Sequence, residues 1–350
     1  MDVFTCAGCG TELTAPVARR ALPVHTGYAG WEELHPPLMD PATYAVDPRP
    51  SGPPWRLWDE VGEEAAAAQG IHAPVYSVSF GPRGRIAIAP GDSRNMVLIP
   101  EKCAGYCRGV DGRDGPNLAC EGCGSAVATR TDDCGLWQAV WLEPDAVRRV
   151  PSGLPAAPPP GWDDLLSAPE RIPPVEPDGS WSRRWEAAVG VALAHLLVAS
   201  EGRPVVLPAG PVAELLGDAV ARALAAGPPA LSVALAGPGV TPPGPAAADI
   251  LLVPRHPLTG EPWRPPSGAA EVVPLDTGVW AYLALPGETS PMPATGTLPE
   301  GVLRDDYPLP PLPWRRFEVH HKAVTGTLVQ LPAVRRPWLR AYYDRHRGPY

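Results

Sequence analysis

"ACEGCGSAVATRTDDC" (residues 119–134) carries three of the chain's seven cysteines, Cys120, Cys123 and Cys134. Its opening turn, Cys-x-Gly-Cys-Gly, recurs near the start of the chain as "CAGCG" (Cys6 to Gly10). That recurrence decides how the first half of the chain must fold. Two thiolates separated by two residues can hold one metal ion only if the backbone closes into a tight turn. Glycine supplies the positive backbone angles, and lets amides approach the sulfurs, as such a turn requires. One turn offers two ligands, whereas a tetrahedral ion takes four. The two turns, distant in sequence, are therefore expected to face each other across a common ion.

Both turns resemble zinc-ribbon and rubredoxin-type knuckles, in which two such turns clasp one metal. The resemblance implies zinc as the cofactor and covers only the knuckles themselves. A second pair, Cys103 and Cys107, leaves the assignment open. The run Cys103, Cys107, Cys120, Cys123 could form a local four-cysteine site, with Cys6, Cys9 and Cys134 then needing a fourth ligand such as His25, His35 or His72. In the other arrangement Cys6, Cys9, Cys120 and Cys123 share one zinc, and Cys103, Cys107 and Cys134 form a three-thiolate set. Matching turns suit a pseudo-symmetric tetrahedron, so the second arrangement is preferred. The distinction is chemical: four cysteines make a closed structural site, whereas three with a water make an open one. Inert buried thiols and a redox dithiol are the weaker readings. Iron–sulfur ligation is not singled out by the spacing. Zinc-deaminase chemistry is excluded, because no histidine precedes a glutamate by two residues and neither Cys-x-x-Cys follows a proline.

The 350 residues exceed what one small core needs, so two domains are expected. Fifty prolines and 36 glycines, against roughly 12% combined in an average protein, mean short regular elements and many connections. Lys102 and Lys322 are the only lysines, and the net charge is −9, which argues against a surface built for polyanions. The balance is uneven: the segment from Trp314 to Tyr350 is +6 and the remainder −15. The opening "MDVFTCAGCG" has no basic n-region or long apolar run, and "AAVGVALAHLLVA" (187–199) is too short to span a bilayer. Cytoplasm, where paired cysteines more often bind metal than form disulfides, is the expected compartment, with no membrane partner.

The expected fold is mixed α+β: a β-rich zinc-knuckle domain (1–150), a proline-rich linker (151–179), an α/β layered domain (180–286), and a proline-rich segment with a basic-aromatic tail (287–350). Strands are expected at 74–80, 84–90 and 95–100, and a helix over 58–70. In "LWQAVWLEPDAVRRV" (136–150), Trp137 and Trp141 lie four apart, which places both on one packing face. Further on, helices are expected at 180–202, 211–227 and 336–347. "RPVVLP", "ALSVALAG", "ADILLVP" and "GVWAYLALP" read as strands of a sheet covered on both faces. Beyond the knuckles the chain resembles uncharacterised actinobacterial proteins with cysteine-rich N-terminal halves, a likeness that implies no activity.

Among the other candidates, Asp111, Asp114, Asp132 and Asp133 read as turn residues rather than a cation site. "VVLPAGPVAELL" (205–216) is strand, turn and helix without a nucleotide-binding motif. His195 reads as a core histidine, and the adjacent His320 and His321, which on a strand would face opposite sides, cannot both join one simple site. In the tail, Arg315, Arg316, Arg335, Arg336, Trp338 and Arg340 could hold nucleic acid or a partner. Pairing of these arginines with the chain's own acids is the favoured reading. The leading functional expectation is a non-catalytic protein whose zinc stiffens a surface for an unknown protein partner. The alternatives are an enzyme, using the three-cysteine set or the cleft after Val206, and nucleic-acid binding by the tail.

Overall fold

The computed structural model describes residues 1–24, 35–103, 110–133, 136–154, 160–167, 171–176, 179–240, 248–266, 270–285, 313 and 315–348. Helices and mixed sheets are both present, so the protein is of the mixed α+β class. It divides into two compact units. One comprises Met1–Pro159, Pro257–Gly260 and Val329–Tyr350; the other comprises Pro160–His256 and Glu261–Leu328.

The first unit is built from short strands. They are β1 (Asp2–Cys6), β2 (Ala18–Arg19), β3 (Thr43–Asp47), β4 (Trp55–Leu57), β5 (Ser77–Ser79), β6 (Arg85–Ile88), β7 (Met96–Leu98), β8 (Leu118–Cys120), β9 (Ala126–Thr131), β10 (Ala139–Leu142) and β11 (Val147–Pro151). Seven form one sheet in the order β2-β3-β6-β10-β9-β8-β7, while β1 pairs with β11 and β4 with β5. Alternate side chains of these strands meet in one core containing Phe4, Leu13, Tyr44, Ile88, Leu118, Val127 and Leu142. Cys6 and Cys120 belong to the same cluster. The helix expected over 58–70 is interrupted. Gly62, at a φ of 77°, separates α1 (Trp58–Val61) from α2 (Glu63–Ala68). Of the Trp137/Trp141 segment, Trp141 lies in β10, Trp137 just precedes it, and the chain continues into β11. A spacing of four returns to one face in a strand as in a helix, and both indoles are buried.

The second unit begins with α3 (Trp162–Ser167) and α4 (Arg183–Ser200), followed by β12 (Val205–Val206), α5 (Pro211–Ala223), β13 (Leu231–Leu235), β14 (Ile250–Arg255) and β15 (Glu271–Asp276). The four strands form a parallel sheet in sequence order. Ile250, Leu251, Leu252 and Val253 are all buried, so β14 is covered on both faces, as its continuous apolar sequence requires. One expectation is corrected here. "GVWAYLALP" is not a strand: residues Thr277–Ala284 form α6, and the edge strand is the preceding "EVVPLD". Asp276 makes the switch by capping the helix, its carboxylate accepting from the amides of Gly278 (2.9 Å) and Val279 (3.3 Å). The buried Trp280 then donates from Nε1 to the Ala236 carbonyl.

The last helix of this unit, α7 (His321–Leu328), crosses α4 closely. A Cβ on Gly190 of α4 would lie only 3.0 Å from the His320 carbonyl, so the contact needs glycine. His320 stands at the head of α7, where its Nδ1 accepts from the Ala323 amide (3.3 Å). After α7 the chain re-enters the first unit and ends in α8 (Pro337–His346). The buried Tyr343 of α8 donates to the Pro74 carbonyl (2.7 Å), and burial pushes its phenol up to about 12.

Desolvation, helped by Lys322 and Arg183, pulls the His320 imidazole down from 6.5 to about 4, and burial also lowers His195. The folded state therefore favours neutral imidazole. The stability this contributes is complete above pH 6.5 and is lost as pH falls towards 4. Denaturant titrations followed in the second unit should show falling stability over that range. His320→Asn, which keeps a capping acceptor but cannot titrate, should flatten the slope and leave a remainder due to His195.

Candidate metal centre

β1 ends at Cys6 and β8 ends at Cys120, and each strand runs directly into a turn that reverses the chain. The two turns are built alike. In the first, the Cys6 amide donates to the Thr11 carbonyl (2.8 Å) and the Gly10 amide to the Cys6 carbonyl (2.9 Å). In the second, the Cys120 amide donates to Ser125 (2.8 Å) and the Gly124 amide to Cys120 (2.8 Å). Gly10 and Gly124 hold φ values of 80° and 73°, which an L side chain rarely adopts.

The turns meet tip to tip. Cys6 Sγ lies 3.6 Å from Cys123 Sγ, and Cys9 Sγ lies 3.6 Å from Cys120 Sγ. All four sulfurs lie within 4.8 Å of one another, with Cys6 and Cys120 buried and Cys9 and Cys123 exposed. These separations are too long for disulfides. Four sulfurs at about 2.3 Å from a central ion stand about 3.8 Å apart in a tetrahedron, so the group can hold a metal.

The environment divides the thiols into two kinds. Burial pushes Cys6 up to about 11, partly offset by the amides of Cys9 and Gly8. Cys9 is pulled down to about 6, chiefly by the Thr11 hydroxyl 3.2 Å from its sulfur and then by the Thr11 amide. Ser125, with its hydroxyl 3.4 Å from Cys123 Sγ, lowers Cys123 in the same way. The repeated signature is therefore six residues long: Cys-x-Gly-Cys-Gly followed by Thr or Ser. Thr11 and Ser125 escape a reading confined to metal-binding residue types, although their equivalent positions after the second cysteine of each turn are visible in the sequence.

The remaining candidates lie elsewhere. Cys103 is outside the group, its thiol donating to the Ile99 carbonyl (3.2 Å). Cys107, Cys134 and His25 fall outside the described residues. His35 and His72 are described and do not join the four cysteines. Asp111 pairs with Arg113 and Asp132 with Arg130. Among the described residues, the four cysteines are the one group of histidine, cysteine or carboxylate side chains that converges as metal ligands.

The arginine-rich tail is divided between the two units. Arg315 and Arg316 belong to the second unit, and Arg335, Arg336, Trp338 and Arg340 to the first. Arg315 pairs with the buried Glu186, Arg316 lies 3.8 Å from Asp218, and Arg340 donates to Asp344 (2.8 Å). No helix among the described residues is long and apolar enough to cross a membrane. No protein family, curated protein or solved structure matches the chain.

The two knuckles differ at their middle glycines. A Cβ on Gly122 would lie 2.5 Å from Thr11 Oγ1, the hydroxyl that serves Cys9, whereas a Cβ on Gly8 meets nothing closer than 3.8 Å. Gly122→Ala should therefore displace Thr11 and weaken metal retention by roughly tenfold or more, the usual cost of disturbing groups that support a ligand. Gly8→Ala should leave retention near wild type. Competition with a chromogenic chelator measures both.

Proposed function

We propose that Cys6, Cys9, Cys120 and Cys123 bind one zinc ion in a closed, structural site, and that the protein is a non-catalytic interaction module of the cytosol. The observation that carries the reading is the convergence of four sulfurs, two from each knuckle. Four protein ligands fill a tetrahedral ion and leave no position for water or substrate, which favours a structural role. Zinc suits it because thiolate-rich tetrahedral sites select soft metals and zinc adds no redox chemistry. Such a site requires reduced thiols, in keeping with the cytosol.

The strands that a metal would join gain most from it. β1 and β8 are short, belong to different sheets, and are separated by more than a hundred residues of sequence. A cross-link closing a loop of that length removes conformational freedom equivalent to roughly 4–5 kcal/mol from the unfolded chain. Support for a protein partner comes from the same unit. Trp55 (51% exposed) and Leu57 on β4, Tyr76 (64%) beside β5, and Val97 and Leu98 on β7 leave large apolar side chains in solvent. Such groups, when clustered, mark interaction surfaces.

Elemental analysis of the full chain should give one zinc per molecule. Cys120→Ser should lose that metal together with the fold of the first unit, while Cys103→Ser should retain both. Two zinc ions, iron, or no metal would each reject the assignment. For the interaction role, Trp55→Ser combined with Tyr76→Ser should keep full zinc content yet lose proteins cross-linked to the wild-type chain in its native extract. An unchanged cross-linking pattern would reject that role.

A further inference from the structure

The second unit holds a cavity of about 730 Å³ that the zinc site does not use. Its position follows from the topology. α4 ends a short turn before β12 begins and packs along β14 and β15, so its N-terminal end, with Trp185 in the first turn and Trp181 just ahead of the helix, lies at the carboxyl edge of the parallel sheet. α5 starts just beyond the end of β12, and α6 directly follows β15. The helices therefore bring Trp185, Glu214 and Tyr282 to the edge where open parallel sheets bind ligands.

The lining is chemically specific. Trp181 stands edge-to-face with Phe317 (centroids 5.1 Å apart, 82°), and Trp185 with Tyr282 (5.3 Å, 89°). Both indole N–H groups are already engaged: Trp181 donates to the Arg315 carbonyl (2.7 Å) and Trp185 to the Ile172 carbonyl (2.9 Å). What the aromatic groups offer a ligand is their electron-rich faces. Of the arginines on the wall, Arg315 is held by the buried Glu186, and the exposed Arg316 lies 3.8 Å from Asp218, so their charges are opposed by nearby carboxylates. Glu214, in the first turn of α5, is the lining carboxylate that forms no ion pair among the described residues.

From this combination we infer that the cavity is a binding site for a small organic cation of the alkylated-ammonium class, held against the faces of Trp181, Tyr282 and Phe317 with Glu214 as counter-charge. An alkylated ammonium group has few or no hydrogen-bond donors to satisfy, and it gains from aromatic faces what a neutral group of equal size does not. A simple anion would meet those same electron-rich faces and the carboxylates of Glu214 and Asp218, with Arg315 already held by Glu186.

The test is calorimetric titration of the full chain with choline and with its uncharged carbon isostere, in which tert-butyl replaces trimethylammonium. Choline should bind saturably, and the isostere roughly tenfold more weakly. Glu214→Gln should weaken choline and reduce its sensitivity to salt. Trp181→Leu should remove most of the binding, with Phe317→Leu as the second variant should the first disturb the fold by circular dichroism. Equal affinity for the isostere, absence of saturable heat at tens of millimolar choline, or undiminished binding by both aromatic variants would overturn the inference. Tighter binding of benzoate than of choline would also do so. Zinc content does not enter any of these readings.

Discussion

The convergence of two hairpin tips on four sulfurs is the constraint on which the first unit depends. Its strands are three to six residues long apart from the two-residue β2, and its connections are rich in proline and glycine. Such strands bury little each, so the core needs its ends fixed. Cys6 and Cys120 belong at once to the four-sulfur group and to the core, packed with Phe4, Leu118 and Val127. Whatever holds the sulfurs together therefore holds β1 and β8 in register with the same hydrophobic cluster. The division of labour within each turn serves this end. The first cysteine of each turn is buried, with burial pushing the Cys6 thiol up, while the second is exposed and eased towards thiolate by a neighbouring hydroxyl.

The second unit relies on different physics. Its parallel sheet is continuous and apolar, and α4 supplies a buried face from Trp185 to Leu197. Its polar centre is Glu186, a carboxylate 2% exposed that accepts from both Arg183 and Arg315. A carboxylate so buried is costly unless paired, and losing one partner is more damaging than never having built the site. The pairing fixes Arg315, whose carbonyl receives the Trp181 indole, so one buried charge organises a wall of the aromatic cavity.

Legibility in the sequence followed how many periods a given residue pattern could satisfy. α4 and α5 were visible because a cap or N-terminal proline and a closing glycine bracket an apolar helical run. The stretch at 278–286 forms a helix rather than the expected strand because a short apolar run fits either when buried; Asp276, two residues before it and the cap of α6, is the arbitrating signal. The spacing of Trp137 and Trp141 could not choose between strand and helix, since four residues return to the same face in either. The helix expected over 58–70 is split at Gly62, whose positive φ interrupts the helical backbone.

By itself the sequence determined the local geometry of the two cysteine turns. Two copies of Cys-x-Gly-Cys-Gly require tight turns with positive glycine angles, and those angles are local properties of the chain. Only tertiary structure decided which pairs meet, because partner choice between Cys103 with Cys107 and Cys6 with Cys9 depends on strand pairing across the whole unit. The aromatic cavity was hidden for the same reason. Trp181, Glu214, Tyr282 and Phe317 lie far apart in sequence and share no motif; they become neighbours because the sheet fixes where each helix begins.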